Sequence, residues 1–161
     1  MNALSFRPWM GGLAAVLLVT LAGCDLFDSP ASRPPAQDRV IIVDAFASDT
    51  PMDAVDVDSA WVANDSLYLE VGYSGGCADH DFRLYGMSTL SPLTIFPPEG
   101  AVLLSHDANG DECEAYLTEQ FSFGITALLD AWGQDATGPV NAMIQTDVNQ
   151  AAVRIVEVTV P

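Results

Sequence analysis

Apolar side chains recur at every second position through most of this chain, and that spacing decides what it can fold into. Leu67, Leu69, Val71 and Tyr73 share one face of a segment whose other face carries Tyr68 and Glu70. Phe82 and Leu84 oppose Arg83 and Tyr85, and Val140, Ala142 and Ile144 oppose Asn141, Met143 and Gln145. Ala115, Leu117, Phe121, Phe123 and Ile125 keep one parity, broken by Glu119. Successive side chains of a β-strand point to opposite faces, so this pattern predicts strands buried on one side and wet on the other. Val40-Ile41-Ile42-Val43 predicts a more uniformly apolar opening strand. The run Ala151 to Val160 changes phase at Ile155-Val156, which predicts a bulge, and Asp147-Val148-Asn149-Gln150 before it predicts a hairpin turn.

Helical spacing occurs once, over Thr126 to Trp132, where Leu128, Leu129 and Trp132 fall on one side and Thr126 is placed to cap. Seven to eight short antiparallel strands with one short helix predict an immunoglobulin-like β-sandwich. A small closed barrel is the second choice. Thr89 to Gly100 is a proline-rich loop carrying Leu90, Leu93, Ile95 and Phe96. The favoured reading is that these side chains cover an open end of the core, and the alternative is a docking patch.

The N-terminus is of another kind. An apolar run from about Trp9 to Ala22 ends in Leu21-Ala22-Gly23-Cys24 and, at about 14 residues, is shorter than the ~20 a spanning helix needs. The tetrapeptide resembles the lipobox of bacterial lipoproteins, in which the cysteine becomes the lipid-bearing first residue. The resemblance implies a signal peptide over 1–23, lipidation at Cys24, and an address in the cell envelope on an inner or outer membrane. Asp25 to Asp38, with three prolines, predicts an extended tether, so that 24–38 is a lipidated linker of ~40 Å reach and 39–161 the folded domain. Several acyl chains hold a protein on a bilayer where one is marginal.

Removing 23 residues from 161 leaves 138, enough for one domain with a real core. The chain has no lysine, and outside the signal four arginines stand against 16 Asp and 6 Glu. That balance repels phosphate backbones, so nucleic acid is an unsuitable partner. Scattered acid without lysine resembles proteins of salt-loving microbes, where it serves hydration; a cation-binding surface is the less favoured reading. The expected partners are the membrane, through the lipid, and an unspecified protein or small ligand.

With Cys24 assigned to lipid, Cys77 and Cys113 remain. In an oxidising compartment an even pair reads first as a disulfide. Its 36-residue loop is worth roughly 3–4 kcal/mol on the chain-entropy model. The alternative is a zinc or copper site built from Cys77, His80, His106 and Cys113, since both histidines of the domain lie near a cysteine. The two readings exclude one another. Asp107-Ala108-Asn109-Gly110-Asp111 offers alternating oxygen ligands, but its glycine is fourth and Thr118 stands where a calcium loop needs glutamate. Asn109-Gly110 predicts a hairpin turn instead. Gly72-Tyr73-Ser74-Gly75-Gly76 spells G-x-S-x-G, but an alternating strand follows Ser74 where a nucleophile elbow needs a helix.

The segments Tyr73 to Phe82, Leu104 to His106 and Gly110 to Ala115 together resemble a recurrent domain of uncharacterised bacterial envelope lipoproteins, over roughly Val57 to Leu129. The resemblance adds support to pairing Cys77 with Cys113 and says nothing of catalysis; no catalytic residue and no cofactor is expected, with zinc or copper the alternative. The expected function is a lipid-anchored, non-catalytic binding or structural module of the cell envelope. A metal-binding envelope protein is the alternative, and a hydrolase the third.

Overall fold

The computed structural model describes residues 39–93 and 95–161, which fall within one compact unit. The expected signal peptide, Cys24 and the tether lie outside the described residues. Among those described, eight strands and one helix follow in order: β1 (Ile41–Val43), β2 (Asp56–Ala63), β3 (Ser66–Gly75), β4 (Asp81–Met87), β5 (Glu99–Asp107), β6 (Ala115–Gly124), α1 (Thr126–Trp132), β7 (Gly138–Gln145) and β8 (Arg154–Val160). They form a five-stranded sheet, β1-β4-β5-β7-β8, and a three-stranded sheet, β2-β3-β6. This is the all-β sandwich that the alternation predicts, and among the described residues no barrel closes.

The inward parities meet between the sheets. Leu67, Leu69, Val71, Phe121 and Phe123 from the smaller sheet pack with Leu84, Val102, Leu104, Val140, Ile144 and Val158 from the larger. Sandwich cores arise this way, from two apolar faces that neither sheet can leave in water. α1 closes one side of the core with Leu128, Leu129 and Trp132 buried, and the Trp132 indole N–H donates to the Met87 carbonyl at 2.9 Å. Glu119 breaks the parity of β6 for a reason. It stands opposite Val71 on the inward side and accepts the Tyr73 hydroxyl at 2.8 Å.

Several expectations need correction. Two pairings, β1–β4 and β5–β7, are parallel; alternation reports which face is buried, not which way the neighbour runs. Thr126 does not cap α1: the capping position is Ile125, without a side-chain bond, and the Ile125 N–H goes to the Asp65 carbonyl at 2.9 Å. β8 carries no bulge, for its register with β7 is continuous from Arg154 to Val160. Ile155 is simply an apolar residue on the outward face, 58% exposed, and the irregular register lies in β2 between Val57 and Ser59. The tight turn at Asn109-Gly110 is present, with both residues at positive φ. It joins no hairpin, however, because β5 and β6 belong to different sheets. In the proline-rich loop Leu90 packs against the core, whereas Leu93, Ile95 and Phe96 are exposed.

Candidate functional site

One end of the sandwich gathers the cysteines and histidines. β3 ends at Gly75, β4 begins at Asp81, β5 ends at Asp107, and residues 108–114 cross from the larger sheet to the smaller. The register of β4 and β5 sets Phe82 opposite His106. His106 is 1% exposed and stacks on Phe82, with ring centroids 4.5 Å apart and planes 3° from parallel. Tyr73 meets both histidines and Phe82 at centroid distances of 4.8 to 5.3 Å. Gly75 leaves room for this arrangement, since a Cβ there would stand 2.5 Å from His80 Nε2.

The imidazoles are bonded in series. His106 Nδ1 lies 3.2 and 3.1 Å from the Asp53 and Ala54 carbonyl oxygens, His106 Nε2 lies 2.8 Å from His80 Nδ1, and His80 Nε2 lies 3.3 Å from Asp111 Oδ2. Carbonyls and an ionised carboxylate only accept, so each outer nitrogen must carry a hydrogen. The two inner nitrogens share one more. Burial pushes the His106 imidazole below its usual range, only partly offset by the Asp53 carbonyl. Among the described residues His80–Asp111 is the single ion pair, with both side chains nearly inaccessible at 2% and 0%.

Asp111 organises the whole end. Its Oδ1 accepts the Cys113 N–H at 2.8 Å, and its Oδ2 accepts the Cys77 and Ala78 N–H groups at 2.8 Å each. These backbone donors, Cys113 foremost, hold the carboxyl well below the usual carboxylate range. Cys77 and Cys113 are joined by a disulfide, with Cα atoms 5.9 Å apart. One carboxylate thus bridges the same two residues that the sulfurs bridge. Tyr73, packed against the His80 ring, is pushed up to about 12 by burial and by its bond to Glu119.

The candidates named from sequence fare differently. Cys77 and Cys113 pair as expected of a disulfide. His80 and His106 come together but bind each other, so the set Cys77, His80, His106 and Cys113 does not converge on a common point while the sulfurs are bonded. His106 has neither nitrogen to spare. In the Asp107–Asp111 segment, Asp107 Oδ1 accepts the Asn109 N–H at 2.9 Å and Asn109 Nδ2 donates to the Asp79 carbonyl at 2.8 Å. These groups close turns and do not surround a cation. Ser74 lies within β3 and has no histidine partner, since all four imidazole nitrogens bond elsewhere. Asp111 is what sequence reasoning missed: one of its carboxylate oxygens and the sulfurs of Cys77 and Cys113 lie within 4.8 Å of one another. The signal was its place two residues before Cys113.

No family model matches this chain, and no curated protein matches it. Among solved structures, a protein from Parabacteroides distasonis provisionally named toxin-related superposes with a TM-score of 0.52 at 16% identity, over 76% of this chain and 60% of that one. A NigD-like immunity protein from Bacteroides caccae gives a TM-score of 0.45 at 21% identity, over 68% of this chain and 50% of that one. A protein from Bacteroides fragilis provisionally named a lipoprotein gives 0.48 at 12% identity, over 77% and 71%. The first of these likenesses bears on the fold alone. This chain spans half of the immunity protein and 60% of the toxin-related one, and what those proteins do is said of them.

Proposed function

We propose that the chain is a lipid-anchored cell-envelope protein whose sandwich serves as a non-catalytic binding or structural module. The observation that carries this is the Leu21-Ala22-Gly23-Cys24 ending of the N-terminal apolar run, followed by a proline-rich stretch of tether length. Pairing of the other two cysteines supports it, because disulfides persist in oxidising compartments. The resemblance of residues 57–129 to envelope lipoproteins points the same way. The non-catalytic part rests on the bonding at the crowded end. Each imidazole nitrogen is engaged, Ser74 lacks a base, and Asp111 is taken up by backbone donors, so among the described residues that end offers no nucleophile paired with a base.

The test is direct. Full-length protein made in a bacterial host should partition into detergent and take up an alkyne palmitate analogue, while Cys24→Ser takes up none and keeps the mass of the unprocessed chain. Equal partitioning and labelling of both forms would sink the anchor. A turnover by the purified protein that disappears in Ser74→Ala or His80→Ala would sink the non-catalytic reading.

A further inference from the structure

We propose that the outward face of the five-stranded sheet is a docking surface for a basic polypeptide segment that carries apolar side chains between its cations. The proposal deepens the binding-module reading and rests on it, naming the surface and the chemistry of the partner. It does not need the lipid anchor.

Three observations carry it. The first is a row of apolar side chains that crosses all five strands on the side away from the core. Register sets Val43 beside Met87, Ala101 beside Met143, and Met143 beside Ile155. Gly86 stands opposite Val102, so Met87 and Ala101 are the next pair along. Their chain neighbours Ile42, Val102, Ala142, Ile144 and Val156 build the core or pack against it. By alternation the five residues of the row therefore point outward. An antiparallel sheet of a sandwich commonly turns polar side chains to water on its outer face, and this row turns apolar ones. Ile155 is 58% exposed, and Ile41, beside Tyr85 in the next outward row, 40%. Contiguous apolar surface marks interaction sites, and methionines such as Met87 and Met143 adapt to the shape they meet.

The second observation is that this surface is concave. A groove of about 310 Å³ lies over Met87, Ala101 and Met143, walled by Leu90 and Pro92 of the proline-rich loop and lined also by Glu99. Five strands at a spacing of about 4.8 Å make the row about 19 Å long, the span of an extended segment of about six residues.

The third observation is the sign of the charge. The outward row on the loop side holds Glu99 and Glu157, one on each side of Asn141. Arg154 is turned away and donates to the Asp58 carbonyl at 3.0 Å. The chain as a whole carries a formal charge of −17. A second copy of it, or an anionic bilayer, is repelled. A cationic segment is drawn in, and its apolar side chains then have the row to cover.

The experiment uses the full chain in phosphatidylcholine nanodiscs, with empty discs as the blank. The probes are the peptide acetyl-Lys-Leu-Lys-Phe-Lys-Leu-Lys-amide and a twin with serine at each apolar place. Calorimetry at about 0.15 M salt should give the first probe one site with a micromolar Kd, as suits a small interface. The twin should bind at least about tenfold more weakly. Met143→Ser with Ile155→Ser should weaken the first probe by about tenfold or more and leave the twin unchanged; Ile155→Ser alone repeats the test at the most exposed position. Glu99→Gln with Glu157→Gln should weaken both probes about threefold, an effect that about 1 M salt removes. The charge-matched Glu112→Gln with Glu114→Gln, at the cysteine end, should not. Equal affinity for the two probes, or a first probe that binds the Met143→Ser, Ile155→Ser chain as tightly as the parent, overturns the proposal. So does a parent that binds neither. Turnover, the result that sinks the module reading, is a separate readout and leaves these affinities as they are.

Discussion

β4 and β5 are joined at one end of the sandwich by the proline-rich loop and finish at the other among the cysteines and histidines, and the two ends solve opposite problems. At the cysteine end polar and charged groups lie inside and are hydrogen-bonded; among the described residues no buried side-chain nitrogen or oxygen lacks a partner. At the loop end apolar groups lie outside, with Phe96 84% and Leu93 65% exposed. A buried ion pair is costly unless its lone pairs and hydrogens are all taken up, which is why so many backbone groups converge on Asp111 and the two rings. An exposed phenyl ring costs little by itself. Sequence change should therefore be felt strongly at one end and barely at the other.

The largest expected effect follows from opening the staple. Cys77→Ser with Cys113→Ser should lower unfolding stability by roughly 3–4 kcal/mol, the chain entropy of a 36-residue loop, read from urea melts. A loss below about 1 kcal/mol would mean that the unfolded chain stays compact without the bond or that the end is already loose. Next comes Gly75→Ala. Its methyl would stand 2.5 Å from His80 Nε2, and overpacking of this kind costs about 1–3 kcal/mol. A neutral outcome would show that the His80 ring moves freely.

Tyr73 gives a third test, set by pH. Its folded value of about 12 lies above the unfolded 10.0. The native state therefore keeps a proton the unfolded chain gives up. The corresponding stability is complete below pH 10 and is lost as pH rises toward 12, by about 2 kcal/mol. Tyr73→Phe should be about 1 kcal/mol less stable at neutral pH and should remove that alkaline decline. A decline unchanged in the variant would assign it to another group. The smallest effect belongs to the loop: Phe96→Ser should stay within about 0.5 kcal/mol of the parent. A larger loss would show that Phe96 covers core after all.

How far the sequence could be read follows the same division. Period-two spacing marked the inward faces of β3, β4, β6 and β7, because burial of alternate side chains is a local property of the strand. The helix at 126–132 was legible for the same reason. The parallel partners of β1 and β5 were not, since pairing direction depends on where the chain returns after a loop. Cys77 and Cys113 were legible as a pair by counting. The role of Asp111 was not, because the donors it serves at Cys77 and Ala78 come from a turn more than 30 residues earlier. A short acidic turn looks the same on paper whether it binds calcium, water or its own backbone.

The entry of the chain into the fold has a mechanical side. Val40 donates to the Gly124 carbonyl of the smaller sheet at 3.1 Å, and the next three residues run parallel to β4 in the larger one. Tension arriving from the residues before Arg39 would thus load both sheets at once. It would pull β1 lengthwise along β4, so that the ladder slips as a set instead of opening one rung at a time.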